Sequence, residues 1–250
     1  MEIGIISDIH EDVESLRLAL KLLQKSKCDE IVCLGDIVGY SVPHYNYLNT
    51  RNASECISIV RSTCSVVISG NHDLYAIRKL SEFRNGFQYP DNWFELDFRE
   101  RKKISEDKLW LYEDEELSPL LNKSDRAYMD SLPEYAIKEY DGINFLFTHY
   151  LYPDISGSER TWRSKKKDIR EHTEFITQNN CNIGIAGHAH IEGYLSGTKS
   201  SIRWKDFGKH LLKKNVSWIV GPCIAGSSRA NGFMIFDTDS FELEVIQLLN

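Results

Sequence analysis

Five short stretches place ligating or proton-transferring side chains directly after apolar, strand-like segments. Asp8-Ile9-His10 follows residues 3–7, Gly35-Asp36 follows 31–34, and Gly70-Asn71-His72-Asp73 follows 66–69. His149 follows 143–148, and Gly187-His188-Ala189-His190 follows 183–186. Five of the eight histidines stand at these positions, a concentration that chance scatter would not produce. Imidazole mixed with carboxylate, without thiolate, suits Mn, Fe, Zn, Ni or Co better than Mg or Ca alone. Asn71 adds a neutral amide oxygen. In extended backbone, Asp-x-His and His-x-His put both side chains on one side, because direction alternates with period two. Gly35, Gly70 and Gly187 permit tight turns beside the ligands. Two divalent cations, two aspartates and a bridging hydroxide sum to about +1, an attractive seat for a phosphoryl group. Two metals roughly 3.5–4 Å apart stabilise both the attacking and the leaving oxygen of an in-line displacement.

Such a rim needs strands whose carboxyl ends lie together. Residues 3–7 are apolar and rich in isoleucine, a buried-strand pattern. From Val13, Leu16, Ala19, Leu20 and Leu23 recur at helical spacing opposite Glu14, Arg17, Lys21 and Lys25. A strand at 31–34, a helix at 55–61 and a strand at 66–68 complete a β-α-β-α-β unit, the pattern of a largely parallel sheet. Ligands of open α/β sheets bind outside the strands' carboxyl ends, where all five stretches fall. Between 74 and 132 no strong strand is evident. Strands return at 135–139 and 143–147 around Asp141-Gly142, a tight-hairpin dipeptide. A helix is expected at 165–178, then strands at 183–186, 193–196, 201–204, 218–220, 233–236 and 242–248.

The chain has 250 residues, 42% hydrophobic and 27% charged, the proportions of an ordinary globular protein. We read it as a single domain over 1–250 with a helical insertion at 74–125. The net charge of −7 disfavours a protein that coats duplex nucleic acid. No apolar run is long enough for a membrane-spanning helix, and the first residues lack a basic leader; no membrane partner is expected. Cysteines 28, 33, 56, 64, 181 and 223 are scattered, without a C-x-x-C pair. They read as reduced thiols of a cytoplasmic protein.

The ordered set Asp8-Ile9-His10, Gly35-Asp36, Gly70-Asn71-His72-Asp73, His149 and Gly187-His188-Ala189-His190 resembles the calcineurin-like metallophosphoesterase superfamily. Ser7-Asp8-Ile9-His10 and Leu34-Gly35-Asp36-Ile37-Val38-Gly39-Tyr40 look like its small bacterial and archaeal phosphodiesterase-like branch. The resemblance runs nearly end to end. It implies an α/β fold, a four-layer α-β-β-α sandwich of two mixed sheets; the second sheet comes from the resemblance, not from composition. It implies that Asp8, His10, Asp36 and His190 hold one metal and that Asn71, His149 and His188 complete the second, with Asp36 bridging and manganese favoured. His72 resembles the family's non-ligand histidine, which faces the phosphate and protonates the leaving oxygen, with Asp73 to orient it. The implied activity is hydrolysis of a phosphodiester or phosphomonoester by a metal-bridging hydroxide.

The chain also departs from the family pattern. Glu11-Asp12 replaces the usual Gly-Asn. The Asp-Arg-Gly tail of protein Ser/Thr phosphatases is missing, which argues against protein substrates. Tyr150 follows His149 where Gly is usual; its ring either narrows the entrance and stacks on substrate or packs beneath the loop. Gly221-Pro222-Cys223-Ile224 replaces Asn-Pro-Gly-Ser, with Arg229 near its end as a candidate phosphate contact.

The insertion carries Phe83, Phe87, Tyr89, Trp93, Phe94, Phe98, Trp110 and Tyr112. It is either a lid whose rings select a nucleobase or another flat group, or a subdomain with its own core. Two basic clusters, Arg99/Arg101/Lys102/Lys103 and Arg160/Arg163/Lys165/Lys166/Lys167 with Trp162, either guide a polyanion or form solvated helix faces. The run 113–116 reads as solvated. The expected partner is a small phosphorylated substrate such as a nucleotide. The alternatives are a nuclease on single-stranded nucleic acid and a silent scaffold, as the retromer subunit of that family is; the intact ligand set argues against the scaffold.

Overall fold

The structure, a computed structural model, describes residues 1–163 and 165–248. The first half alternates β1 (Glu2–Ile6), α1 (Val13–Ser26), β2 (Glu30–Cys33), the short β3 (Tyr40–Ser41), α2 (Ala53–Thr63) and β4 (Val66–Val67). Then come α3 (Asn71–Ala76), α4 (Phe98–Ser105), β5 (Glu116–Leu117) and α5 (Lys123–Asp130). The second half contains β6 (Tyr135–Tyr140), β7 (Ile143–Thr148), α6 (Lys166–Gln178), β8 (Ile183–Ala186), β9 (Tyr194–Thr198), β10 (Ser201–Lys205) and β11 (Gly208–Leu211). It closes with β12 (Trp218–Val220), β13 (Gly232–Asp237) and β14 (Glu242–Gln247).

Local chemistry sets several boundaries. Asp12 caps α1, its carboxylate accepting from the Ser15 N–H at 3.0 Å. The helix stops where Lys27 turns left-handed, at φ +58°. Asp141 and Gly142 both have positive φ, and Tyr140 pairs with Ile143, so the β6–β7 hairpin has the expected two-residue turn.

Two six-stranded sheets form, ordered β11-β14-β13-β1-β2-β4 and β10-β9-β12-β8-β7-β6. β1, β2 and β4 run parallel in the first, and β7, β8 and β12 in the second. Period-two alternation assigns the layers. Ile3, Ile5, Val32 and Leu34 meet Phe145, Phe147, Ile183 and Ile185 between the sheets. Ile6 and Cys33 face outward onto Leu16 and Leu23 of α1 and Cys56 and Val60 of α2. Leu146 and Ala186 face Ile169 and Ile176 of α6 on the opposite side. The result is the four-layer α-β-β-α sandwich. Fully burying one such leucine stabilises the fold by roughly 1.5–3 kcal/mol.

β11 was not expected from the sequence. Its residues are mostly exposed, so no apolar run marks it; it is an edge strand held by pairing with β14. Within 74–125, β5 makes a two-residue antiparallel ladder with β3, which precedes the segment in the chain. Phe87, Tyr89 and Trp93 pack edge to face on one another, a small aromatic core of that segment. No helix among the described residues is long and apolar enough to cross a membrane. All six cysteines are free thiols.

Candidate metal centre

The loops after β1, β2, β4, β7 and β8 meet at one rim. The extended backbone expected for Asp-x-His and His-x-His is not what aims the side chains. φ is +56° at Asp8, +47° at His10, +51° at Asp36, +64° at His188 and +45° at His190. A left-handed residue with a Cβ costs roughly 1–2 kcal/mol, and such strain persists only where surroundings over-determine it. Here hydrogen bonds between loops do so. The N–H groups of Asp8 and His10 donate to Gly35 O and Asp36 O, both at 3.0 Å. The His188 N–H donates to Asp8 Oδ2 at 2.9 Å. Gly35 sits at φ +93°, and a Cβ there would lie 2.4 Å from Gly70 N, so only glycine lets the second and third loops touch.

All seven expected ligands come together. His10 Nε2 lies 3.2 Å from His190 Nε2, which lies 3.2 Å from Asp8 Oδ1. His149 Nε2 lies 3.0 Å from Asp36 Oδ2 and 3.2 Å from His188 Nδ1. Asn71 Oδ1 is 3.1 Å from His188 Nδ1. Asp36 Oδ2 stands between the two groups, 3.9 Å from His10 Nε2. Potential ligand atoms of Asp8, His10 and His190, and of Asp36, His149 and His188, lie within 4.8 Å of one another in each set.

Three observations fit divalent cations to these donors. First, backbone carbonyls fix the tautomers. His10 Nδ1–H donates to Gly39 O at 2.9 Å, and His149 Nδ1–H to Leu34 O at 2.8 Å; each Nε2 lone pair is then aimed inward. Second, Asp8 Oδ1 is buried without a hydrogen bond. Third, the buried Asn71 amide lies between the Tyr112 hydroxyl on one side and Asp36, His149 and His188 on the other, which places a neutral amide donor among the imidazoles and the carboxylate. Burial holds His10 and His188 at about 3, so both are neutral and able to ligate. In the metal-free chain burial opposes ionisation of Asp8 and Asp36, but protonated His190 and His149 outweigh it and hold both carboxyls well below their usual range; a cation would take the place of the protons on those two imidazoles.

His72 stands beside this cluster, its Nε2 3.9 Å from Asp36 Oδ2. The side chain that orients it is Glu116, ion-paired with Nδ1, and not Asp73. Asp73 Oδ1 accepts from the N–H groups of Ile37 (2.9 Å) and Val38 (3.2 Å), and Oδ2 accepts from Gly70 N–H (3.1 Å). Its carboxylate ties the loop after β2 to the start of α3. Burial opposes a charge on His72, but Glu116 and Asp36 more than offset it and raise the imidazole to about 9.

Tyr150 packs beneath its loop and does not face substrate. It is 2% exposed, its hydroxyl accepts from the Arg163 N–H at 2.8 Å, and its ring backs His188 at 4.4 Å. Arg229 is exposed at the mouth of a cavity of about 480 Å3 whose floor includes His10, Asp36, Asn71, His72, His188 and His190. Glu11 of the divergent first motif is buried against Arg51 at 3.2 Å. Asp12 accepts from the Gly226 N–H at 2.9 Å, which joins the start of α1 to the loop between β12 and β13.

The basic clusters do not form a continuous track. Arg163 is buried against Glu159 at 2.7 Å, Arg160 lies over the Trp110 ring, and Arg101 pairs with Glu113. Lys165 and Lys167 are exposed; the side chain of Lys166 lies outside the described residues.

Residues 1–201 match the family model described as the Calcineurin-like phosphoesterase superfamily domain. An uncharacterised protein of Methanocaldococcus jannaschii is 23% identical over 260 residues, covering 98% of this chain and 86% of its own. The crystal structure of a metallophosphoesterase from Sphaerobacter thermophilus superposes with a TM-score of 0.64 at 20% identity, covering 100% of this chain and 88% of the other. A hypothetical protein from Pyrococcus horikoshii OT3 gives 0.60 at 14% identity, with 99% and 87% covered. At these identities the superpositions establish the fold.

Proposed function

Since this chain belongs to the calcineurin-like phosphoesterase superfamily, we propose that it hydrolyses a small phosphodiester or phosphomonoester with two divalent transition-metal ions, manganese favoured. One observation carries the reading: seven donor side chains from five loops converge on one rim, with neighbouring donor atoms 3.0–3.2 Å apart. Asp8, His10, Asp36 and His190 would hold one ion; Asn71, His149 and His188, with Asp36 shared, would hold the other. When bound, the ions supply an acidified water as nucleophile and neutralise charge on the phosphoryl group.

The chain's own groups do the rest. The His72 imidazolium faces the centre through Nε2 and gives its proton to the leaving oxygen. Glu116 fixes that ring. Arg229 at the mouth receives a non-bridging phosphate oxygen. Residues of the insertion between 98 and 116 line the cavity, and this part is tied across the opening: Leu109 bridges to Glu159, Trp110 N–H donates to Ser158 O, and Arg160 N–H donates to Lys108 O. The paired state of Arg101 and Arg163 favours a small ester over a nucleic-acid strand.

Assay of bis(p-nitrophenyl) phosphate and p-nitrophenyl phosphate with added manganese tests this. We expect turnover that a chelator abolishes and manganese restores. A chain that holds two manganese ions and turns over neither ester is a scaffold instead.

A further inference from the structure

The cavity is larger than one phosphate requires. At about 480 Å3 it falls among sites that enclose an organic ligand of roughly 300–1,000 Å3. Beyond the polar floor its wall is aromatic. Trp93 and Trp218 are buried in cores, and Trp204 donates its indole N–H to Glu192 O. Trp110 and Trp162 differ: they are 40% and 52% exposed, and both line this cavity. Neither indole N–H has a protein acceptor among the described residues, so both remain available to a ligand.

The platform is built in advance. Trp110 is pinned through its main chain to Ser158 at 3.0 Å, and the Arg160 guanidinium lies 4.8 Å from its ring centroid. Arginine on one ring face leaves the other for stacking. The rim charges set the length of the ligand. Lys102, Arg160 and Arg229 are matched by Asp107, Asp114 and Glu115 around the same opening, so no net field draws in a string of phosphates. Those carboxylates also offer acceptors to the N–H edges of a heterocycle, which a plain hydrocarbon ring would not use.

We propose that the outer wall formed by Trp110 and Trp162 is a nucleobase subsite, and that the ester is that of a single nucleoside with one phosphate. The proposal rests on the hydrolase reading for the phosphate's seat only. Base-on-aromatic stacking supports an affinity loss of about 5- to 150-fold when the ring is removed.

The full chain is titrated with adenosine, and with ribose as control, following tryptophan fluorescence; neither probe requires metal or turnover. Saturable quenching by adenosine and none by ribose is expected. The adenosine Kd should rise about 5- to 150-fold in W110A or W162A, with most of the affinity kept in W110F. With manganese, kcat/KM for adenosine monophosphate over ribose 5-phosphate should exceed tenfold in the parent and fall toward one in W110A. Equal responses to adenosine and ribose, or an adenosine Kd unmoved in both alanine variants, overturns the subsite. Tryptophan-dependent adenosine binding in a chain that hydrolyses no ester leaves the subsite standing and removes the hydrolase reading. Hydrolysis of both phosphates at equal kcat/KM does the reverse.

Discussion

Glu116 holds Nδ1 of His72 in a buried ion pair, although the two residues belong to different elements. The ladder between β3 and β5, which pairs Ser41 with Glu116, brings the carboxylate in. With Nδ1 engaged, Nε2 is the nitrogen left for a substrate. A positioned acid of this kind contributes typically 10²–10⁴-fold to the chemical step. H72A should therefore lower kcat by about 10²–10⁴-fold while metal content stays at the parent value. E116Q should lower kcat by about 10- to 100-fold with little change in KM, and E116D should recover part of it. Elemental analysis of H72A beside its kinetics decides the point: metal lost in step with activity would make His72 a ligand.

The buried ligand set at the rim, with Asp8 Oδ1 left without a hydrogen bond, should make metal binding visible in stability. A ligand that binds only the folded chain at 100 times its Kd adds about 2.7 kcal/mol. Manganese or zinc should raise Tm of the chelator-treated chain by several degrees. D36A should lose most of that shift, since its carboxylate adjoins both His10 and His149. Differential scanning fluorimetry across a metal titration measures it, and an equal shift in D36A would place the ions elsewhere.

The ligand rim was legible because each donor follows a strand end, and strands can be read from apolar runs. The second sheet was not derivable from those runs; it came with the resemblance. The partner of His72 was misplaced for a geometric reason. Asp73 is next to His72 in the chain, but on α3 adjacent side chains diverge, so Asp73 faces the loop after β2. Glu116 was hidden in an acidic run that looks solvated, and only the long-range β3–β5 ladder turns it inward. Tyr150 follows His149 at a strand end, where neighbours point to opposite sides; His149 faces the cluster of candidate ligands and Tyr150 the packing beneath. The left-handed ligands have no local sequence mark, because the conformation is imposed by bonds between loops.

The reassignment of Asp73 has its own consequence. Its carboxylate satisfies three backbone N–H groups, of Ile37, Val38 and Gly70. Removing it leaves buried donors unpaired, at about 1–3 kcal/mol each where water cannot replace it. D73A should lower unfolding stability by about 2–5 kcal/mol, and D73N, which keeps an acceptor, by less. Urea denaturation checks this. A D73A chain with unchanged midpoint and reduced kcat would return Asp73 to the role of orienting His72.

Away from the candidate metal centre, His172 should shape the acid limb of stability. It is fully buried on α6. Nδ1 accepts the Tyr152 N–H at 3.0 Å, which leaves the proton on Nε2, itself buried without a partner. Burial lowers its pKa to about 3, whereas the unfolded chain protonates it near 6.5. Between those values the unfolded state binds the extra proton, so stability is full above about 6.5, declines as pH falls below it, and levels off under about 3. The slope from this residue alone is about 1.4 kcal/mol per pH unit. H172Q keeps an acceptor for Tyr152 but cannot titrate. Between pH 6.5 and 5 the parent should lose about 2 kcal/mol more than H172Q, read from urea midpoints at each pH in chelator. Superimposable pH profiles would mean that His172 is protonated in the folded chain, with a negative partner at Nε2.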